Sequence, residues 1–172
     1  MQRIGILGGS FNPVHNGHLL MAELAMAHMH LDHVIFMPAH CSPYKTGQNL
    51  ADAKHRLNMV RLAIKGNPNL CLSDMEIKRG GVSYAIDTLR AVHEQNPKAK
   101  LFWIVGEDNV GGLEGWKDFD QIIGLASFVA ISREWFNISS SLIRRNVRQK
   151  KSIRYLTPEA VIRYINKHHL YR

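Results

Sequence analysis

Two histidines three residues apart, His15 and His18, follow the glycine pair Gly8 and Gly9 in the stretch GILGGSFNPVHNGHLLMAELA, with Gly17 between them. A short apolar run that ends in glycines and gives way to a helical pattern reads as a strand turning into a helix. If that helix begins near Asn16, side chains three apart share a face and both imidazoles point back over its N-terminus. The helix dipole favours an anion there, and glycines let a phosphate approach backbone N–H groups. The chemistry predicted for Gly8, Gly9, Ser10, His15 and His18 is therefore phosphate binding. For the glycines taken alone a plain tight turn stays open, as does a satisfied core position for either histidine taken singly.

Two rival chemistries fit less well. His28, His30, His33 and His40 enlarge the pool of metal ligands, but no HxxxH and no nearby carboxylate completes a zinc set. No metal ligand is assigned. A dinucleotide fingerprint needs GxGxxG and an acid near the end of the second strand, whereas these glycines read GxxGG and the second run ends MPAH.

The elements that must position these groups are legible as alternating patterns. IGIL (4–7), VIFM (34–37), LFWIV (101–105) and FVAI (128–131) read as buried strands, with a weaker fifth in LCLSDMEI (70–77). Helical patterns lie between them: HLLMAELAMAHM, DAKHRLNMVRLAIK, and SYAIDTLRAVHEQ with Ser83 placed as N-cap. Strand and helix in alternation predict a parallel sheet with right-handed crossovers, whose ligand sits at the carboxyl ends of the strands. Near the end, Thr157-Pro158-Glu159 predicts an N-cap, a first-position proline and a first-turn acid opening a terminal helix. The longest polar loop spans 39–50.

Composition bounds the remainder. A chain of 172 residues with 45% hydrophobic positions predicts one domain over 1–172. No apolar run approaches the roughly 18 residues of a membrane span, and the N-terminal apolar core is too short for a signal peptide, so a soluble cytoplasmic protein is expected. Cys41 and Cys71 form no CxxC pair and are expected to be reduced. Residues 144–172 hold nine Lys/Arg against the single acid Glu159, so the whole net charge of +8 falls there. Such a tail suits nucleic acid, an anionic small molecule or only water. Its aromatics, Tyr155, Tyr164 and Tyr171, are too few among the charges to favour nucleic acid.

GGSFNPVHNGHL resembles the (H/T)xGH signature of the nucleotidyltransferase superfamily, and ISSSLIRRNV (138–147) is similar to its ISSTxIR segment. Within the superfamily, SPYK (42–45), EIKRGGVSYAIDTL (76–89) and VGEDNVGGLEGW (105–116) resemble bacterial nicotinate-nucleotide adenylyltransferase. The resemblance runs from Ile4 to Tyr171. Asn12 stands where that family usually has Asp, Tyr44 where it often has His, Ala85 where Thr is common and Glu107 where a small residue is usual. Between Arg133 and Ile138 the family has a longer segment with another strand.

The resemblance implies a Rossmann-like α/β fold, a mainly parallel sheet of five or more strands with helices on both faces and a helical C-terminal part at about 139–172. It implies adenylyl transfer from ATP, with Mg²⁺, to nicotinate mononucleotide. His15, His18, Lys45 and Arg144 would be catalytic. Gly8, Gly9, Ser10, Phe11, Gly106, Asp108, Ile138, Ser139 and Ser140 would join His15, His18 and Arg144 around ATP, with Ser139 or Ser140 capping a helix whose N-terminus faces phosphate. Asn12, Lys45, Ser83, Tyr84, Ala85, Asp87, Thr88 and Trp116 would hold the acceptor, with the Trp116 indole stacking on the pyridine ring. Small-molecule substrates and neither nucleic acid nor membrane are the expected partners, with a homo-oligomer left open. Phosphopantetheine adenylyltransferase shares the glycine–histidine signature and is the alternative enzyme. It usually carries Thr at the His15 position and lacks the SYxxDTL and tryptophan stretches.

Overall fold

The apolar runs become five parallel strands in the computed structural model, which describes residues 1–43, 50–132 and 137–172. The strands are β1 Arg3–Gly9, β2 His33–Pro38, β3 Leu70–Leu72, β4 Lys100–Gly106 and β5 Ala126–Ile131, in the order β3-β2-β1-β4-β5. Every neighbouring pair is parallel, with Leu7 opposite both Phe36 and Ile104. β1 lies in the middle with β2 on one side and β4 on the other, so the chain changes winding direction there. A crevice at the carboxyl ends of the strands is the geometric consequence of that switch.

Among the described residues seven α-helices connect and cover the sheet: α1 Asn16–Met29, α2 Ala53–Ile64, α3 Met75–Arg79, α4 Ala85–Gln95, α5 Phe119–Leu125, α6 Ser140–Arg148 and α7 Glu159–Lys167. A 3-10 helix, Glu107–Gly115, follows β4 directly. Because successive strand side chains alternate in direction, the sheet has two cores. Leu7, Phe36, Phe102 and Ile104 pack with α1, α2 and α7 on one face. Ile4, Ile6, Met37, Trp103 and Val105 pack with α4 and α5 on the other. Strands covered on both faces read as continuous apolar runs, which is why the sequence displays them so plainly.

Three boundaries differ from the sequence reading. The fifth run is a strand only over Leu70–Leu72; Met75-Glu76-Ile77 turns into α3, and Glu76 is buried through side-chain hydrogen bonds rather than strand pairing. Ser83 does not cap α4, which starts at Ala85 after Tyr84; its hydroxyl instead accepts the His40 N–H at 3.0 Å. Thr157 does not cap α7, whose cap position is Pro158; its hydroxyl donates to the Val14 carbonyl at 2.8 Å. In both cases a tertiary partner outcompetes the local cap that these side chains favour.

Gly8 is the one glycine at the head of the site where lack of a side chain is a packing necessity. A Cβ there would lie 2.8 Å from Cζ2 of Trp103, a buried indole on β4. Gly8→Ala is expected to displace that indole and to cost about 1–3 kcal/mol in denaturant unfolding, as overpacking of a filled core does.

Candidate active site

The corner after β1 is built by backbone geometry and held by distant side chains. Phe11 adopts φ 46°, a left-handed conformation that is strained for a bulky residue, and its ring is buried. Asn12 is buried, its Oδ1 accepting the Ala51 N–H at 3.0 Å. Arg56, 2% exposed on α2, donates to four backbone carbonyls: Ser10 at 2.8 Å, Ala39 at 2.7 Å, Ala51 at 3.0 Å and His40 at 3.2 Å. One guanidinium thereby ties the ends of β1 and β2 to the start of α2. Burial lowers the Arg56 pKa, and the Tyr171 and Asp52 side chains oppose that shift.

His15 is the extended residue immediately before α1, and the two imidazoles are stacked, with centroids 3.6 Å apart and planes 22° from parallel. The His15 backbone N–H donates to His18 Nδ1 at 3.2 Å. That bond requires an unprotonated Nδ1, so the ring proton of neutral His18 sits on Nε2 as a donor. The Phe11 ring meets His18 edge-on at 4.9 Å. Spacing, helix start and neighbours together give the shared direction that the sequence predicts for the pair.

A second helix N-terminus reaches the same corner. Ser139 caps α6 by accepting the Leu142 N–H at 3.1 Å, the Ser140 hydroxyl donates to the Pro13 carbonyl at 2.7 Å, and Arg144 donates to the Asn12 carbonyl at 2.8 Å and to Ser141 Oγ at 3.1 Å. Residues 155–157 brace the start of α1 from outside, through Asn16 N–H to Leu156 at 2.9 Å and the Asn16 amide to Tyr155 at 2.8 Å. Ser139→Ala removes one cap and is expected to lower stability by about 1 kcal/mol in urea unfolding.

These groups open onto a cavity of about 600 Å³ at the carboxyl ends of β1 and β4. Of the residues expected around ATP, Gly8, Gly9, Ser10, Phe11, His15, His18, Gly106, Asp108, Ser140 and Arg144 line it. Ile138 and Ser139 do not; Ile138 packs against the core and Ser139 serves as cap. Asn12, Ser83, Tyr84, Ala85 and Trp116, expected on the acceptor, also line it. Asp87 and Thr88 are not brought to the cavity: Asp87 faces Arg90 at 3.7 Å, and Thr88 is buried and donates to Glu76 at 2.5 Å. Lys45 lies outside the described residues.

Sequence reasoning missed four residues. Glu76, Trp103 and Lys117 line the cavity, and the Lys117 ammonium stands 4.6 Å over the Tyr84 ring. Arg56 holds the corner from behind. Trp103, Lys117 and Arg56 carry no local motif, and Glu76, though it opens EIKRGGVSYAIDTL, finds its partner Thr88 on another element. Trp116 stands edge-on to Trp103 and to Phe128, with centroids 6.1 Å and 5.8 Å away. Among the described residues no group of three His, Cys, Asp or Glu side chains could hold a metal, and no helix is long and apolar enough to cross a membrane.

Residues 6–146 match the cytidylyltransferase-like family. The nicotinate-nucleotide adenylyltransferase of Bacillus subtilis is 35% identical, covering 99% of this chain and 99% of its own. The chain belongs to the nicotinate-nucleotide adenylyltransferase family. A Bacillus pumilus protein named a "probable nicotinate-nucleotide adenylyltransferase" is 38% identical, over 99% of each chain. Two solved structures share the fold. One from Vibrio parahaemolyticus has TM-score 0.84 at 25% identity, covering 100% of this chain and 96% of its own. The other is the Plasmodium falciparum nicotinic acid mononucleotide adenylyltransferase complexed with NaAD, with TM-score 0.81 at 19% identity, covering 99% and 98%.

Membership of the adenylyltransferase family accounts for the convergence of both signatures on one cavity. The Bacillus subtilis alignment runs over 187 positions, more than the 172 residues of this chain, so the relative carries residues absent here. Among the described residues, the element after β5 is α6, with no further strand between them.

Proposed function

We propose that this adenylyltransferase moves the adenylyl group of ATP onto nicotinate mononucleotide, giving deamido-NAD and pyrophosphate. The observation that carries the reading is the convergence of two helix N-termini, the stacked His15–His18 pair and Arg144 on one cavity that also presents Trp116 and the start of α4. Positive helix ends, imidazole donors and a fork-shaped cation suit a polyphosphate, and a flat indole beside backbone N–H groups suits a pyridine carboxylate.

The acceptor's 5′-phosphate oxygen attacks the α-phosphorus in line. A new P–O bond forms as the bond to the bridging oxygen breaks, and that oxygen leaves with its electron pair on pyrophosphate. The nucleophile is already an anion at neutral pH, so the protein's task is positioning and charge stabilisation. His18 donates from Nε2 to an α-phosphate oxygen, and His15 does the same toward the bridging or β oxygens. Arg144 and the backbone at Ser139–Ser141 hold the β and γ phosphates, and Lys45 meets the acceptor phosphate. Asp108, just past β4, holds the adenosine ribose. N–H groups at Ala85–Ile86 and after Trp116 take the pyridine carboxylate. Mg²⁺ would accompany ATP and supply neutralisation of the phosphate charge. Free Cys41 and Cys71 suit a reducing, cytoplasmic setting.

Pyrophosphate release from MgATP, measured with nicotinate mononucleotide, nicotinamide mononucleotide or phosphopantetheine as acceptor, tests the reading. Release with the first acceptor is expected. Release with phosphopantetheine alone would move the chain to the other activity of the superfamily.

A further inference from the structure

Glu76 is an ionisable group with no place in the mechanism above, yet it is 3% exposed and lines the cavity. Burying a carboxyl costs several kcal/mol unless hydrogen bonds replace its water. Here the Thr88 hydroxyl donates to Oε1 at 2.5 Å. Desolvation pushes the Glu76 pKa up, and the bonds from Thr88 and Ser83 with the Arg79 charge pull it back. The arrangement continues outward at both ends. Arg79 donates to Thr88 Oγ1 at 3.2 Å, Ser83 Oγ accepts the His40 N–H at 3.0 Å, and the Ser83 N–H donates to the Cys41 carbonyl at 2.8 Å.

Packing alone gives no reason for an acid at this position. The neighbouring α4 side chains, Ile86 and Leu89, belong to an apolar core. What the carboxyl does is join α3 to α4 through Thr88, while Ser83, in the turn before α4, ties that turn to the segment after β2. Ser83, Tyr84 and Ala85, the residues it steadies, form the cavity wall at the N-terminus of α4. Thr88 lies outside the cavity, so any effect it has on substrate must pass through its bonded partners, Glu76 and the Tyr84 carbonyl, and that wall.

We infer that Glu76 is a positioning residue for the acceptor: bonded to Thr88 on α4, its carboxyl fixes the first turn of α4 and the Ser83–Ala85 wall that leads into it, and so sets affinity for the acceptor's pyridine end. The inference rests on the acceptor reading proposed above. It separates the two substrates, because the ATP corner is held by other groups, Arg56, Ser140 and Arg144.

Steady-state kinetics of Thr88→Val, Thr88→Ser and Glu76→Gln test it. Thr88→Val removes the donor with little change of shape. Thr88→Val and Glu76→Gln are each expected to raise the KM for nicotinate mononucleotide by about tenfold or more, a cost in line with misplacement of a binding wall. The KM for ATP and kcat should stay within about twofold, and Thr88→Ser should restore the wild-type value. The double variant should be no worse than Glu76→Gln, since both changes break one device. An unchanged acceptor KM in both single variants, or an ATP KM rising in step with it, overturns the inference.

Failure of the acceptor reading is separable. It shows as a wild-type chain that releases no pyrophosphate with nicotinate mononucleotide, and it removes the specificity half of the inference. Amide hydrogen exchange in the substrate-free chain then decides the positioning half. Faster exchange of the His40 and Ser83 amides in Glu76→Gln supports it, and unchanged exchange overturns it.

Discussion

Replacing His18 with alanine is expected to lower kcat for adenylyl transfer by about a hundredfold or more, with the KM for either substrate changing by only a few fold. The expectation rests on where the imidazole is held. The His15 N–H at 3.2 Å fixes Nδ1 as acceptor, His15 stacks on one face at 3.6 Å, and the Phe11 edge closes at 4.9 Å. A donor locked this way needs little reorganisation when charge builds on the α-phosphate oxygens, and that charge is larger in the transition state than in bound ATP. Interactions that strengthen along the reaction lower the barrier, whereas those made equally to bound substrate alter KM. A hundredfold loss corresponds to about 2.7 kcal/mol of transition-state stabilisation. Rapid-quench or pyrophosphate-coupled kinetics on His18→Ala beside the wild type checks it. A change confined to the KM for ATP would assign His18 to ground-state binding only.

The positions that sequence reading found and those it missed divide along a physical line. His15, His18, the glycines and Ser139 act through periodicity and helix ends, which are properties of neighbouring residues. The buried parallel strands display themselves as apolar runs for the same reason. Ser83 and Thr157 look like caps because both belong to the residue types that cap helices, yet each finds a partner far along the chain, His40 and Val14. Glu76 is hidden by the opposite error. An acid inside LCLSDMEI argues neither for a strand nor for burial, and Thr88, twelve residues later, makes its burial tolerable. Arg56 sits in an ordinary amphipathic pattern on α2, and no residue type near it signals four carbonyl partners.

Arg56 and Glu76 define complementary tasks in one cavity. The guanidinium gathers carbonyls at the ends of β1 and β2 and shapes the corner where phosphate is expected; the carboxyl gathers hydroxyls and shapes the wall where the acceptor is expected. Both are ionisable groups used for positioning, buried at a desolvation cost that apolar side chains would avoid. A cavity that must hold two substrates in line gains from walls that cannot drift independently, since small misplacements of reacting groups lower rates steeply.

Arg144→Ala is expected to reduce kcat/KM for ATP by about a hundredfold or more, and Arg144→Lys to recover only a small part of it. The guanidinium is doubly pinned, to the Asn12 carbonyl at 2.8 Å and to Ser141 Oγ at 3.1 Å, and it also lines the cavity. Alanine therefore removes a charge from the phosphate end and a tie between α6 and the corner after β1. Lysine restores the charge, but a single ammonium cannot reproduce a planar fork that meets a carbonyl, a hydroxyl and phosphate oxygens together. The Ser140 bond to Pro13 remains in both variants, so α6 should stay docked and the melting temperature should fall only slightly. Kinetics with ATP varied, read beside thermal unfolding, checks the pair. Full recovery by lysine would mean that Arg144 acts as a point charge, and a large loss of stability in the alanine variant would mean that its tie to Asn12 outweighs its part in phosphate binding. Because the Asn12 backbone leads directly into His15, the His18→Ala and Arg144→Ala effects should combine less than additively, as groups acting on one transition state through a shared corner do.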